Sequence, residues 1–159
     1  MIALADEKTD IVLRRDKHDF KLRVTGVLFN QNGDIAVNEE PQYGYLTLPG
    51  GKIKFGETSQ QAVVREFAEE MGIRVQGTKL LSVTENLFSF EGKLNNEVCF
   101  TWLVVKIDNQ TVYAKDDWEQ TLVWRSLNSI SNLKPHALQA VLNNLPTQVV
   151  HLINIDKGE

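Results

Sequence analysis

Cysteine, proline and long apolar runs are scarce in this sequence, and each shortage excludes a class of protein. The 159 residues include one cysteine and four prolines. A single Cys99 cannot form an intrachain disulfide or a Cys-rich zinc cluster, and its strand-like surroundings predict a small buried apolar side chain. No apolar run approaches the roughly 18 residues of a membrane-spanning helix, and residues 1–7 are too acidic for a secretion signal. We therefore expect a cytoplasmic protein with no membrane partner.

An excess of positive charge is also lacking. The chain has 17 Lys and Arg against 21 Asp and Glu, which gives a formal net charge of −4. This balance argues against binding to long nucleic acid but leaves room for acidic cation sites. Apolar residues make up 42% and charged residues 24%, which is ordinary globular usage. The length suits one domain, which we predict over residues 1–159.

Alternating apolar residues and turn signals predict a mixed sheet with two helices. Strands are predicted at 22–29, 35–38, 45–48, 79–90, 97–107, 121–125 and 149–155. The pair Asn32-Gly33 predicts a hairpin turn between the first two. One helix is predicted from Thr58 or Ser59 to Met71. A second is predicted from 134 to 145, with Pro135 in its first turn. These elements indicate a layered α/β or α+β fold.

The first predicted helix carries three acids on one face. Glu66, Glu69 and Glu70 stand at i, i+3 and i+4. We expect them to point outward, opposite an apolar face of Val63, Val64, Phe67, Ala68 and Met71. Like charges at this spacing repel by a few tenths of a kcal/mol, and a divalent cation would offset the repulsion. Oxygen ligands with no His or Cys nearby favour Mg²⁺ or Mn²⁺. The alternative is a solvated charged face.

A glycine-rich loop is predicted at 50–57, directly before this helix. Gly50, Gly51 and Gly56 allow close backbone approach. Lys52 adds positive charge, and the N-terminal end of a helix favours anions. The loop therefore suits phosphate, although a plain strand-to-helix turn is the alternative.

Together, residues 51–73 resemble the Nudix box, G-x5-E-x7-R-E-U-x-E-E-x-G-U, where U is a bulky apolar residue. The matching residues are Gly51, Glu57, Arg65, Glu66, Phe67, Glu69, Glu70, Gly72 and Ile73. Phe67 stands where aliphatic residues are more usual, and we expect only a packing difference there. The resemblance implies an α/β/α sandwich, in which the box forms a loop–helix–loop beside a mixed sheet with a C-terminal helix.

The resemblance also implies a reaction, the metal-dependent hydrolysis of a diphosphate bond in a small nucleotide by water. By similarity, Glu66 and Glu70 are the main metal ligands and Glu69 supports them. The Gly51 carbonyl would be a further ligand, and Glu57 either a ligand or the support of one. Mg²⁺ is the implied cofactor, with Mn²⁺ as a substitute, and members of the family often form homodimers.

The resemblance also leads to candidate roles for residues other than the metal ligands. Arg65 would orient a carboxylate, and its i,i+4 spacing permits a pair with Glu69. The general base stays open among Glu66, Glu97, Asp117 and Glu119. Arg23 and Lys52 are candidates for contact with substrate phosphate. Candidate platforms for a nucleobase are Phe90, Tyr43, Tyr45, Phe55 and Trp118. A catalytically silent nucleotide-sensing module is the competing interpretation.

Overall fold

The structure is a computed structural model that describes residues 9–107 and 121–157. Within these ranges the strands are β1 (Val12–Arg14), β2 (His18–Val27), β3 (Ile35–Glu40), β4 (Tyr45–Thr47), β5 (Gly50–Lys52), β6 (Val75–Phe90), β7 (Lys93–Lys106), β8 (Thr121–Arg125), β9 (Leu133–Lys134) and β10 (Val150–Asp156). The α-helices are α1 (Ser59–Met71) and α2 (Gln139–Asn143), with short 3₁₀ helices at Leu127–Ser129 and His136–Leu138. No helix in the described part of the chain is long and apolar enough to cross a membrane.

The strands form two mixed sheets rather than the single sheet that was predicted. The first has the order β1-β2-β7-β6-β10, with β5 paired to β2, and the second has the order β8-β3-β4-β9. The chain passes from the first sheet to the second at the Asn32-Gly33 turn. Asn30 Oδ1 accepts from the backbone N–H groups of Asn32 and Asp34 there, each at 2.9 Å. The turn is therefore present, but the two chain segments that it joins pair with each other only next to the turn.

Local signals predict α1 correctly. Thr58 caps the helix in a capping box with Gln61, and Gly72 ends it in a left-handed conformation with φ 66°. Phe67 is fully buried against β2. A Cβ at Gly26 would overlap its ring, so the glycine makes room for the aromatic side chain. This contact accommodates the unusual phenylalanine of the box.

The second helix is shorter than predicted. Lys134 belongs to β9, which pairs with β4, and only Gln139–Asn143 is α-helical. Leu138, Val141 and Leu142 are buried, whereas Leu145 is exposed. The helix ends early because Pro146 follows Leu145 and disfavours helical backbone there. The predicted terminal strand is present as β10, parallel to β6.

Two apolar cores lie on either side of the sheets. One joins α1 to the strands through Val63, Phe67 and Met71, and the other joins α2 to them through Val141 and Leu142. The layered arrangement confirms the α/β/α sandwich that the resemblance implied.

Candidate active site

A cleft of about 610 Å³ is lined by strands of both sheets and by α1. Acidic side chains of α1 border it, and basic side chains of β2 and β5 stand among them. Further along it lie aromatic side chains. Its lining residues include Lys21, Arg23, Asn38, Tyr45, Gly50, Gly51, Lys52, Glu66, Glu69, Glu70, Asn86, Phe88, Phe90 and Glu97.

Two of the three helix acids are sunk into this cleft, and the prediction that all three point outward is wrong. The Glu66 side chain is 12% exposed, against 56% for Glu69. Glu70 Oε2 is buried and has no hydrogen-bond partner among the described residues. The reason is the rotation of the helix. Its buried face runs through Ala62, whereas Val64 and Ala68 are exposed.

Burial also sets the electrostatics of the two acids. It raises the pKa of Glu66, although the Arg65 guanidinium opposes the rise. Burial and the neighbouring Glu66 charge raise the pKa of Glu70 to about 8, and Arg23 opposes this rise. Two close carboxylates in a poorly solvated place are stabilised by a cation between them.

Arg65 is the centre of the hydrogen-bond network beside these acids. Its Nη2 donates to Glu57 Oε1 at 2.6 Å, and its Nε donates to Glu57 Oε2 at 2.9 Å. Nη2 also donates to the Lys52 carbonyl at 3.0 Å, and Nη1 to Glu66 Oε1 at 2.9 Å. The predicted pair with Glu69 is present at 3.2 Å. These hydrogen bonds all go to carboxylate or carbonyl oxygens of the protein, which fits the predicted role of Arg65 in orienting a carboxylate.

Glu57 is held on both oxygens. Besides the Arg65 fork, the backbone N–H of Lys54 donates to Glu57 Oε1 at 2.9 Å. Burial alone would raise the pKa of Glu57, but the hydrogen bond from Arg65 and that of Lys54 outweigh burial and lower it. This geometry fits the second of its two predicted roles, the support of a ligand.

The start of the predicted loop is a strand. Gly50, Gly51 and Lys52 form β5, in which Lys52 lies opposite Arg23 of β2. A Cβ at Gly51 would overlap the Glu66 carboxylate, and one at Gly50 would overlap the Val24 carbonyl. Both positions need glycine because the strand passes so close to β2 and to the helix acids.

The residues present fit a hard divalent cation. Within residues 9–107 and 121–157, no three His, Cys, Asp or Glu side chains converge into a complete metal cage. Two adjacent, largely buried carboxylates, one of which has an oxygen without a partner in these same ranges, suit Mg²⁺. This ion uses one or two carboxylates and completes its shell with water and substrate phosphates.

Arg23 and Glu97 extend the cleft beyond the acids. Arg23 Nε lies 3.8 Å from Glu97 Oε2, and Asn86 donates to Glu97 Oε1 at 3.2 Å. Lys52 Nζ lies 3.9 Å from Asp10 Oδ2. The predicted phosphate-binding residues Arg23 and Lys52 are therefore neighbours in the cleft. Asn86 was not predicted as a site residue, because the sequence does not show which face of the sheet a polar side chain within a strand occupies.

Aromatic side chains cluster at one end of the cleft. Tyr43 stacks on Tyr45 with ring centroids 5.7 Å apart, and Phe90 meets Tyr43 edge-on at 5.3 Å. Phe90 and Tyr45 line the cleft, whereas Phe55 does not. The remaining candidates, Trp118, Asp117 and Glu119, lie outside the described residues.

Cys99 is buried, as predicted. Burial raises the pKa of its thiol to about 11, which keeps it protonated at neutral pH. Burial therefore disfavours a reactive thiolate at this position.

Comparison with known proteins identifies the family. A model described as NUDIX domain matches residues 19–145. The chain belongs to the Nudix hydrolase family. The Nudix hydrolase YvcI of Bacillus subtilis strain 168 is 29% identical over 114 residues, which cover 70% of each chain. The RNA pyrophosphohydrolase of Acinetobacter baylyi is 24% identical over 138 residues, which cover 75% of this chain and 83% of the relative.

A shorter match and two solved structures agree with the family. The 8-oxo-dGTP diphosphatase of Escherichia coli K12 is 40% identical over 73 residues, 43% of this chain and 57% of the relative. The MutT protein structure from Bacillus halodurans gives a TM-score of 0.67 at 19% identity, covering 82% and 86% of the two chains. An ADP-ribose pyrophosphatase structure from Streptococcus suis gives a TM-score of 0.58 at 16% identity. The match covers 84% of this chain and 98% of that one. The structures support the fold, and the Nudix family with its hydrolase-named relatives confirms the predicted pyrophosphohydrolase class.

Proposed function

We propose that this Nudix protein hydrolyses a diphosphate bond in a small nucleotide with Mg²⁺ held by Glu66 and Glu70. One observation carries the proposal: a buried Glu70 oxygen, which has no hydrogen-bond partner among the described residues, lies beside the largely buried Glu66 carboxylate in a cleft that also presents Arg23. A bound divalent cation supplies positive charge for phosphoryl oxygens and acidifies the attacking water. Mn²⁺ is the proposed substitute.

The remaining residues of the box keep this pair in place. Arg65 holds Glu66 from one side, and Glu57 holds Arg65. Gly51 allows the strand to lie against the Glu66 carboxylate, and we propose its carbonyl as a further ligand. Glu69, which is more exposed and paired to Arg65, supports the network.

The basic residues of β2 and β5 are suited to substrate phosphates. Arg23 and Lys52 lie opposite one another in the strand register, so their charges reach the same part of the cleft. Glu66 lines the cleft and is proposed as the general base, and Glu97 stays a prediction for that role. Asp117 and Glu119 stay predictions for the same role, as do the homodimer, the single domain and the cytoplasmic location.

The nucleoside part would lie near the aromatic side chains, where Phe90 lines the cleft and offers a surface for a base. The relatives are named for different substrates, which share a nucleotide diphosphate linkage. We therefore propose the linkage and the nucleotide class, and we leave the base to experiment.

A substrate panel tests this proposal. The purified protein would be incubated with Mg²⁺, Mn²⁺ or EDTA and with nucleoside triphosphates, nucleotide sugars, ADP-ribose and dinucleoside polyphosphates. Product identification in ¹⁸O-labelled water locates the phosphorus that is attacked. We expect metal-dependent release that Glu70→Gln abolishes while the protein stays folded. No release from any compound by folded protein would contradict the proposal, and tight binding without turnover would favour a sensing module.

A further inference from the structure

A row of polar side chains crosses the first sheet and ends at Glu97. Asn154 of β10 pairs in register with Asn86 of β6, and β7 brings Glu97 beside Asn86. The backbone N–H of Ala137 donates to Asn154 Oδ1 at 3.0 Å. Asn154 Nδ2 donates to Asn86 Oδ1 at 2.9 Å, and Asn86 Nδ2 donates to Glu97 Oε1 at 3.2 Å. We call these four residues the amide row.

The direction of the amide row is set at its two ends. A backbone N–H can only donate, so Asn154 has to turn its oxygen to Ala137 and its NH₂ to Asn86. Asn86 accepts on its oxygen and is left to donate to Glu97, whose carboxylate accepts. Asn86 and Glu97 are both buried, where a reversed amide would place two acceptors together at a high free-energy cost. Each side chain therefore has one favourable orientation.

Glu97 lies one step along the sheet from Arg23. Arg23 pairs in register with Cys99, and Lys21 pairs with Glu97, two residues away on each strand. This backbone spacing is roughly 7 Å, and the Arg23 side chain crosses it to within 3.8 Å of Glu97 Oε2. Phe88 lies two residues beyond Asn86 on β6 and also lines the cleft. A nucleotide with its phosphates near Arg23 would thus extend past Glu97 to reach the aromatic side chains.

We propose that Glu97 accepts a hydrogen bond from an N–H donor of the nucleobase of the substrate. Asn86 and Asn154 are then positioning residues that hold the carboxylate in place. Asn154 touches no substrate and acts from β10 through Asn86. The inference rests on the proposed function for the orientation of the nucleotide, and it makes Glu97 a specificity residue rather than the general base.

Binding of the four nucleoside 5′-monophosphates, with inorganic phosphate as the base-free control, tests the role of Glu97. These probes contain no diphosphate bond, so the result does not depend on hydrolysis or on metal. We expect one monophosphate to bind best, and Glu97→Gln to weaken it about tenfold to a hundredfold, as for a hydrogen bond to a charged group. The affinity for inorganic phosphate should not fall, because removing the Glu97 charge, 3.8 Å from Arg23 Nε, leaves Arg23 at least as available to phosphate. Equal binding of all probes by the wild type, or no loss in the variant, overturns the proposal.

The positioning role is tested by Asn154→Asp. The aspartate can still accept from Ala137 but cannot donate to Asn86, which has to turn its oxygen toward Glu97. We expect about tenfold weaker binding of the preferred monophosphate and a lower Tm. The same change at exposed Asn96 on β7 should alter neither.

A double variant separates the amide row from a general loss of stability. In Asn154→Asp with Glu97→Gln, the new glutamine amide can donate to the turned Asn86, so the row can run in reverse. The Tm lost by Asn154→Asp should be largely recovered, while monophosphate binding stays weak. If the two substitutions lower the stability additively in the double variant, the proposed order of hydrogen bonds along the amide row is wrong.

Steady-state kinetics separate specificity from base catalysis. With any compound that the wild type hydrolyses, Glu97→Gln should raise KM at least tenfold and change kcat by less than about threefold. A large fall in kcat with a changed pH profile would make Glu97 the base and overturn the specificity role. If the wild type hydrolyses nothing, the proposed function fails, and the monophosphate measurements still decide the inference.

Discussion

Replacing Glu70 by glutamine should make the metal-free protein more stable at alkaline pH. The folded pKa of Glu70 is about 8 and its ordinary value is 4.5. Because the folded value is the higher one, this group contributes stability below pH 4.5 that is lost as pH rises to 8. The shift of about 3.5 pKa units corresponds to at most about 5 kcal/mol. A glutamine carries no charge and avoids this loss.

The expected gain is smaller than that maximum because the wild-type protein can relax around the charge. We expect about 2–4 kcal/mol at pH 9 and close to zero at pH 4.5, where the wild-type side chain is neutral as well. For a protein of this length the gain corresponds to a Tm increase of roughly 5–15 °C at pH 9. Thermal unfolding in EDTA across this pH range measures it directly.

Glu69→Gln is the matched control, since this acid lies on the same helix but is 56% exposed. The stability of Glu69→Gln relative to wild type should not increase as the pH rises. Added Mg²⁺ at pH 8 should stabilise the wild type and not Glu70→Gln. The reasoning is refuted if the Tm of Glu70→Gln at pH 9 is no higher than that of wild type, or if the same increase is present at pH 4.5.

Three further substitutions test the site and the fold. Arg65→Lys loses the fork that holds Glu57, and kcat/KM should fall about tenfold to a hundredfold with the Tm lowered by only a few degrees; an unchanged rate would remove Arg65 from the network. Phe90→Ala should raise KM about fivefold or more through lost stacking, with kcat retained, whereas exposed Phe55 outside the cleft gives a control with unchanged KM. Gly26→Ala overlaps the Phe67 ring and should lower stability by about 1–3 kcal/mol in urea unfolding; a variant as stable as wild type would show that the ring can move.

The position of α1 could be predicted from the sequence, since its limits depend on neighbouring residues. Thr58 and Gly72 cap the helix through contacts within one turn, and such contacts are present in any fold that contains the segment. The second helix was predicted too long for the opposite reason. Its first residue, Lys134, pairs with β4, which lies far away in the chain, and the strand contact prevails over the helical pattern there.

The depth of the acids could not be predicted. Glu66 and Glu70 lie on the same helical face as Glu69, but the sheets bury one edge of that face and leave the other in water. Helical periodicity gives angles around the axis and not the angle at which the helix meets the sheet. Sequence alone therefore indicated a cation site without indicating which carboxylates are desolvated.

What the sequence determined by itself is the local chemistry: the spacing of the box acids, the capped helix and the glycines that admit the strand. What only the tertiary structure decided is which distant residues join them. Asn86, Glu97 and Asn154 belong to three strands, and Asn154 is 68 residues beyond Asn86. Their hydrogen bonds depend on strand order and register, and the free energy that sets register comes from packing of the whole sheet. The spacing of residues along the chain therefore does not predict which of them the packing brings together.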